Sequence, residues 1–128
     1  MIYNRERAKQ LIDFDGMKWG RCRPTDLDFS LDIGGRYFVF VELKVEGVPL
    51  SQGQRIHLEH LVDSIVEGGR EAVAIFAHHN VVNWEDDIIA AESKPVQYYY
   101  GGRWHSLEGR DYPDLNFLIT SMVEEWKK

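Results

Sequence analysis

The stretch PTDLDFSLDIGGRYFVFVELK, from Pro24 to Lys44, decides how this chain is read. It is a hairpin: two runs of strand character, DFSLDI and RYFVFVELKV, meet at Gly34-Gly35. The first arm carries Asp26, Asp28 and Asp32. The second is apolar at successive positions from Tyr37 to Val41, the mark of a central strand covered on both faces, and then ends in Glu42 and Lys44. Charges set against such a strand are costly unless they are paired, hydrated or bound to a metal.

Strand geometry puts Glu42 and Lys44 on one face, and likewise Asp26 and Asp28, because each pair is two residues apart. Loop length decides whether the pairs meet. A strict two-residue turn at Gly34-Gly35 sets Asp28 opposite Val41 and Glu42 opposite Leu27, on the wrong side of the sheet. A three-residue loop shifts the register by one. With Ile33-Gly34-Gly35 as the loop, Glu42 comes opposite Asp26; with Gly34-Gly35-Arg36 it comes opposite Asp28. A bulge has the same effect, and bulges are frequent beside active sites. Convergence of these side chains therefore requires an odd loop or a bulge.

If they converge, two carboxylates and a main-chain carbonyl form a hard-oxygen set suited to Mg²⁺ or Mn²⁺, with waters completing the shell. Lys44 is then placed to orient or deprotonate an attacking water, or to steady the charge of a phosphoryl transition state. Asp32, close to the turn, reads as solvated.

Working outward, 128 residues with 44% hydrophobic and 28% charged content fit one domain spanning 1–128. The formal charge of −6 argues against coating nucleic acid by bulk electrostatics, but clustered carboxylates around a cation would themselves make a nuclease acidic. No apolar run approaches the roughly 20 residues of a membrane span. The opening MIYNRERAKQ lacks the pattern of a secretory signal, and the lone Cys22 leaves no disulfide framework. A cytoplasmic protein without membrane contact is expected.

Helices are expected over NRERAKQLID from Asn4, over SQGQRIHLEHLVDSIVEGG from Ser51, and over DLNFLITSMVEEWKK from Asp114. EAVAIFAH reads as a buried strand. DDIIAAESKPVQYYY and RWHSL read as a hairpin closed at Gly101-Gly102. The order α-β-β-α-β places the chain among α/β proteins, with a mixed central sheet flanked by helices.

Thr25-Asp26-Leu27-Asp28, a strand, a turn and then Glu42-Leu43-Lys44 resemble the PD-(D/E)XK nuclease superfamily. The likeness runs from the first helix to the helix ending at Gly69. It is nearest to small phage-type or Holliday-junction-resolvase-like members and to the RecB-like pattern. The resemblance implies a restriction-endonuclease-like core and Mg²⁺-dependent hydrolysis of DNA phosphodiester bonds, with Mn²⁺ substituting. It implies Asp28 as the first metal ligand, with Asp26 as the alternative because Thr25 interrupts the Pro-Asp dipeptide. Glu42 would be the second ligand and Lys44 the catalytic lysine. Gln54 or Gln52 matches the glutamine that follows the strand in the RecB-like branch, and Glu6 matches an additional metal ligand on the first helix. A bacterial or phage-infected cell and DNA as partner go with this likeness; so small a domain has few elements left for sequence reading, which suits a homodimer, a partner of a fused function or a structure-selective enzyme. The alternative is a catalytically inactive nucleic-acid-binding or protein-interaction module of the same fold.

Other residues have plainer readings. Ser51 and Gln54 fit a capping box, which competes with a site role for Gln54. Glu6 suits the first turn of a helix whatever else it does. His57, His60, His78 and His79 lack a third zinc ligand at motif spacing. Tyr98, Tyr99, Tyr100 and Trp104 suit sheet packing or base stacking. Arg21, Arg23, Arg55 and Arg103 are candidate phosphate contacts.

Overall fold

The computed structural model describes residues 13–128. The expected first helix, with Glu6, lies outside the described residues. The elements that follow it are β1 (Phe29–Ile33), β2 (Tyr37–Val45), α1 (Gln52–Glu67), β3 (Glu71–His79), a short 3-10 turn (Ala90–Glu92), β4 (Lys94–Tyr100), β5 (Arg103–Ser106) and α2 (Leu115–Trp126).

Two local signals set the middle of the fold. Ser51 caps α1, and its hydroxyl accepts the Gln54 N–H at 3.2 Å. At the other end Gly68 and Gly69 close the helix through bonds to Ser64, Ile65 and Val66. Strand β3 then returns parallel to β2, with Tyr37 beside Glu71 and Val45 beside His79. A strand–helix–strand crossover of this kind is the usual way to join parallel neighbours. The other pairings are antiparallel, and the strands lie in the order β1-β2-β3-β4-β5, a five-stranded mixed open sheet.

The period-2 alternation of β2 and β3 sorts their side chains to two cores. Val39, Val41, Val73, Ile75 and Ala77 meet Leu115 and Leu118 of α2. Ala72, Ala74 and Phe76, with Phe38 and Phe40 at the margin, meet Leu58 and Val62 of α1. Helices on both faces explain why β2 and β3 are nearly continuously apolar. Tyr37 ties the end of α2 back to the sheet: its ring stacks on Trp126 at 5.0 Å and its hydroxyl donates to the Trp126 carbonyl at 2.7 Å.

The strand expected within DDIIAAESKPVQYYY is confined to Lys94–Tyr100, and residues 86–93 are irregular apart from the 3-10 turn. Ile88 and Ile89 are exposed, so that segment lacks the buried face a strand would need. Among the described residues no helix is long and apolar enough to cross a membrane.

Candidate active site

The site begins with the β1–β2 loop. Phe29 pairs with Val41 and Ile33 with Tyr37, so the loop is Gly34-Gly35-Arg36. This is the odd loop that aligns Asp28, not Asp26, with Glu42. Gly34 and Gly35 have φ of 64° and 69°, a region that side-chain-bearing residues avoid. The Asp32 carboxylate, expected to be merely solvated, accepts the Gly35 N–H at 2.8 Å and so holds the turn.

Beyond Phe29 the ladder stops. The next N–H of β2 that turns toward β1 belongs to Leu43, and the Asp28 carboxylate takes it through Oδ2 at 2.6 Å. A charge-assisted bond of that length fixes Asp28 at the mouth of the hairpin.

Glu42 points to the α1 face of the sheet and is only 6% exposed. Its Oε1 accepts an N–H from the Gln54 side chain at 2.9 Å and stands 3.8 Å from the Lys44 ammonium. Burial pushes the Glu42 carboxyl up to about 7, and the neighbouring Asp28 charge adds to the shift, while Lys44 opposes it.

Gln54 has two tasks at once. Its side-chain oxygen lies 3.0 Å from the Ser51 hydroxyl, inside the capping box, while its amide nitrogen reaches Glu42. The cap and the contact with Glu42 use opposite ends of one amide. Gln52 is exposed at the start of α1 and makes no hydrogen bond from its side chain to a described residue. Asp26 is likewise exposed and without such a bond.

The donor set can be tested for a divalent cation. Asp28 is held through Oδ2 by the Leu43 N–H and Glu42 through Oε1 by the Gln54 amide, which leaves one oxygen of each outside those two bonds. Two carboxylates are thus brought together with one ammonium, and the Glu42 carboxyl is raised by burial first and by the Asp28 charge second. Hard oxygens in this number suit Mg²⁺, which keeps several waters and needs only one or two carboxylates. Among the described residues no group of three or more His, Cys, Asp or Glu side chains converges, so Asp28 and Glu42 would hold such an ion with water and main-chain oxygen.

One neighbour escaped sequence reasoning. His78 pairs with Lys44 across the parallel β2–β3 ladder and therefore shares its face. Its Nε2 donates to the Val48 carbonyl at 3.0 Å, tying β3 to the chain entering α1. Only the pairing of β2 with β3 could have signalled this. His79 turns away and accepts the Val81 N–H at 3.2 Å. The aromatic cluster is engaged in packing: the Tyr99 hydroxyl donates to Asp63 at 2.9 Å, Trp104 donates to Glu59 at 2.8 Å, and Arg55 lies 4.6 Å over the Trp104 ring. Those contacts fasten β4 and β5 to α1.

Compared with protein-family models, with curated proteins and with solved structures, the chain matches none of them.

Proposed function

We propose that this chain is a Mg²⁺-dependent nuclease of PD-(D/E)XK type that hydrolyses DNA phosphodiester bonds. One observation carries the reading: Asp28, Glu42, Lys44 and Gln54, drawn from three elements, meet at the open mouth of the β1–β2 hairpin. A structural role alone does not explain why a carboxylate should be buried beside another and kept there. The strand–strand–helix–strand run with parallel β2 and β3 supports a restriction-endonuclease-like core.

In this reading Asp28, anchored by the Leu43 N–H, and Glu42, anchored by Gln54, would hold a Mg²⁺ ion, which when bound would supply a water of lowered pKa and polarise the phosphoryl oxygen. Lys44 balances the two carboxylates at rest and meets the negative charge of the phosphoryl group during attack. Gln54 is a positioning residue: it acts through Glu42. The enzyme works in the cytoplasm of a bacterial or phage-infected cell, as a homodimer where the substrate is branched.

The test is cleavage of end-labelled linear duplex, single-stranded and four-way-junction DNA in Mn²⁺, comparing wild type with Glu42→Ala and Lys44→Ala. Metal-dependent cutting that both substitutions abolish is the expected result. Cutting that survives both would place the chemistry elsewhere. No cutting of any substrate in Mg²⁺ or Mn²⁺ would leave the inactive binding module of the same fold as the better reading.

A further inference from the structure

A small second hairpin precedes the site. Trp19 and Cys22 form an isolated antiparallel bridge, with both backbone bonds made at 3.0 and 2.9 Å and Gly20 at a φ of 63°. It is a two-residue turn pinned by its own backbone. The segment Met17–Pro24 contains Lys18, Arg21 and Arg23 and no acidic residue, in a chain whose net charge is −6. All three cations are exposed, and none is within salt-bridge distance of a described carboxylate. Trp19 is 65% exposed, although burying such a ring against the core would be favourable.

The contrast with the rest of the molecule is informative. Trp104 and Trp126 are packed against partners, and the arginine beside Trp104 is spent on its ring. Trp84 is also exposed, but its neighbours Glu85, Asp86 and Asp87 make that loop acidic. Among the described tryptophans, only Trp19 combines an open ring with neighbouring cations that form no ion pair with a described carboxylate. Phosphate neutralisation by Lys and Arg together with base stacking on an aromatic ring is how proteins hold single-stranded nucleic acid. A duplex hides its base faces except at ends and junctions, so an open indole favours unpaired bases.

The hairpin is also tethered to the chemistry. Pro24, Thr25, Asp26 and Leu27 alone separate Arg23 from Asp28, a path of at most about 18 Å. We propose that the Trp19 hairpin is a substrate arm that stacks on an unpaired base and grips its flanking phosphates, making single-stranded or unpaired segments the substrate of the site beside it. This rests on the nuclease reading for the consequence of binding, but the binding itself can be measured without any cleavage.

The experiment is equilibrium binding of a fluorescein-labelled 15-nucleotide single strand and of the blunt duplex of the same sequence, both in EDTA. Proteins compared are wild type, Trp19→Ala, Trp19→Phe and Arg21→Ala/Arg23→Ala. The expected result has wild type preferring the single strand. Trp19→Ala should weaken that binding about 5- to 150-fold, the effect of removing one base-stacking ring, while Trp19→Phe stays close to wild type. The double arginine variant should flatten the slope of log K against log salt by about 1.4. Since Trp19 is exposed, circular dichroism should show all variants folded. Equal affinity for single strand and duplex, an unaffected Trp19→Ala, or no binding by wild type would each overturn the proposal. The nuclease reading fails separately, in the cleavage assay; a protein that binds single strands through Trp19 and cuts nothing refutes that reading and leaves the arm intact.

Discussion

Glu42 offers the sharpest test of the site, because its carboxyl resists ionisation in the folded protein. Its value of about 7 against an ordinary 4.5 means that the folded chain binds this proton more tightly than the unfolded chain does. The stability linked to the shift is therefore fully present below the unfolded value and is lost as pH rises through 7. At 1.36 kcal/mol per unit, the metal-free protein should lose about 3 kcal/mol from this group between pH 4.5 and 8. Glu42→Gln cannot ionise, yet it keeps an oxygen for the Gln54 N–H. Urea denaturation of both proteins in EDTA, at pH 5 and pH 8, isolates the effect from every other titrating group. The variant should be the more stable at pH 8 by about 3 kcal/mol, and the gap should shrink by most of that amount at pH 5. Divalent cation should then close the gap: at 100 times its dissociation constant, Mn²⁺ should add about 3 kcal/mol to wild type and much less to Glu42→Gln. Parallel pH profiles for the two proteins would refute the account of Glu42 as a buried carboxylate held against Asp28.

Further expectations concern the supports of the site. Gln54→Ala keeps the backbone N–H that Ser51 caps but removes the side-chain half of the capping box and the bond to Glu42, and should cost about 1–2 kcal/mol in chemical denaturation. Gln54→Glu keeps an oxygen for the cap but brings a third carboxylate to Asp28 and Glu42; it should be well tolerated at pH 5 and clearly destabilised at pH 8, and equal losses at both would count against the Gln54–Glu42 contact. Gly35→Val forces a β-branched residue into a left-handed position (φ 69°) and should cost about 1–2 kcal/mol by urea melt. Leu58→Ala opens the core beneath α1, where the side chain is 2% exposed, and should cost about 2–5 kcal/mol.

Periodicity, read along the chain, fixed most of what is local. The 3.6-residue stripes of α1 and α2, the apolar runs of β2 and β3, the Ser51 cap and the shared face of Glu42 and Lys44 all follow from neighbours a few residues apart. Register was different. Gly101-Gly102 closes a two-residue turn, with Tyr100 paired to Arg103, whereas Gly34-Gly35 sits in a three-residue loop with Ile33 paired to Tyr37. The same dipeptide serves both, so the dipeptide could not say which. In the second case the Asp32 carboxylate takes the Gly35 N–H and Arg36 joins the loop, which brings Asp28 rather than Asp26 to Glu42. Tertiary structure alone decided the rest: that one amide of Gln54 reaches Ser51 and Glu42 together, that His78 stands beside Lys44, and that Tyr99 and Trp104 are spent on packing while Trp19 is not. Each depends on how a crossover or loop returns the chain to a distant strand. Periodicity encodes which face a residue takes, but the residue that meets it there is set by the closure of the fold.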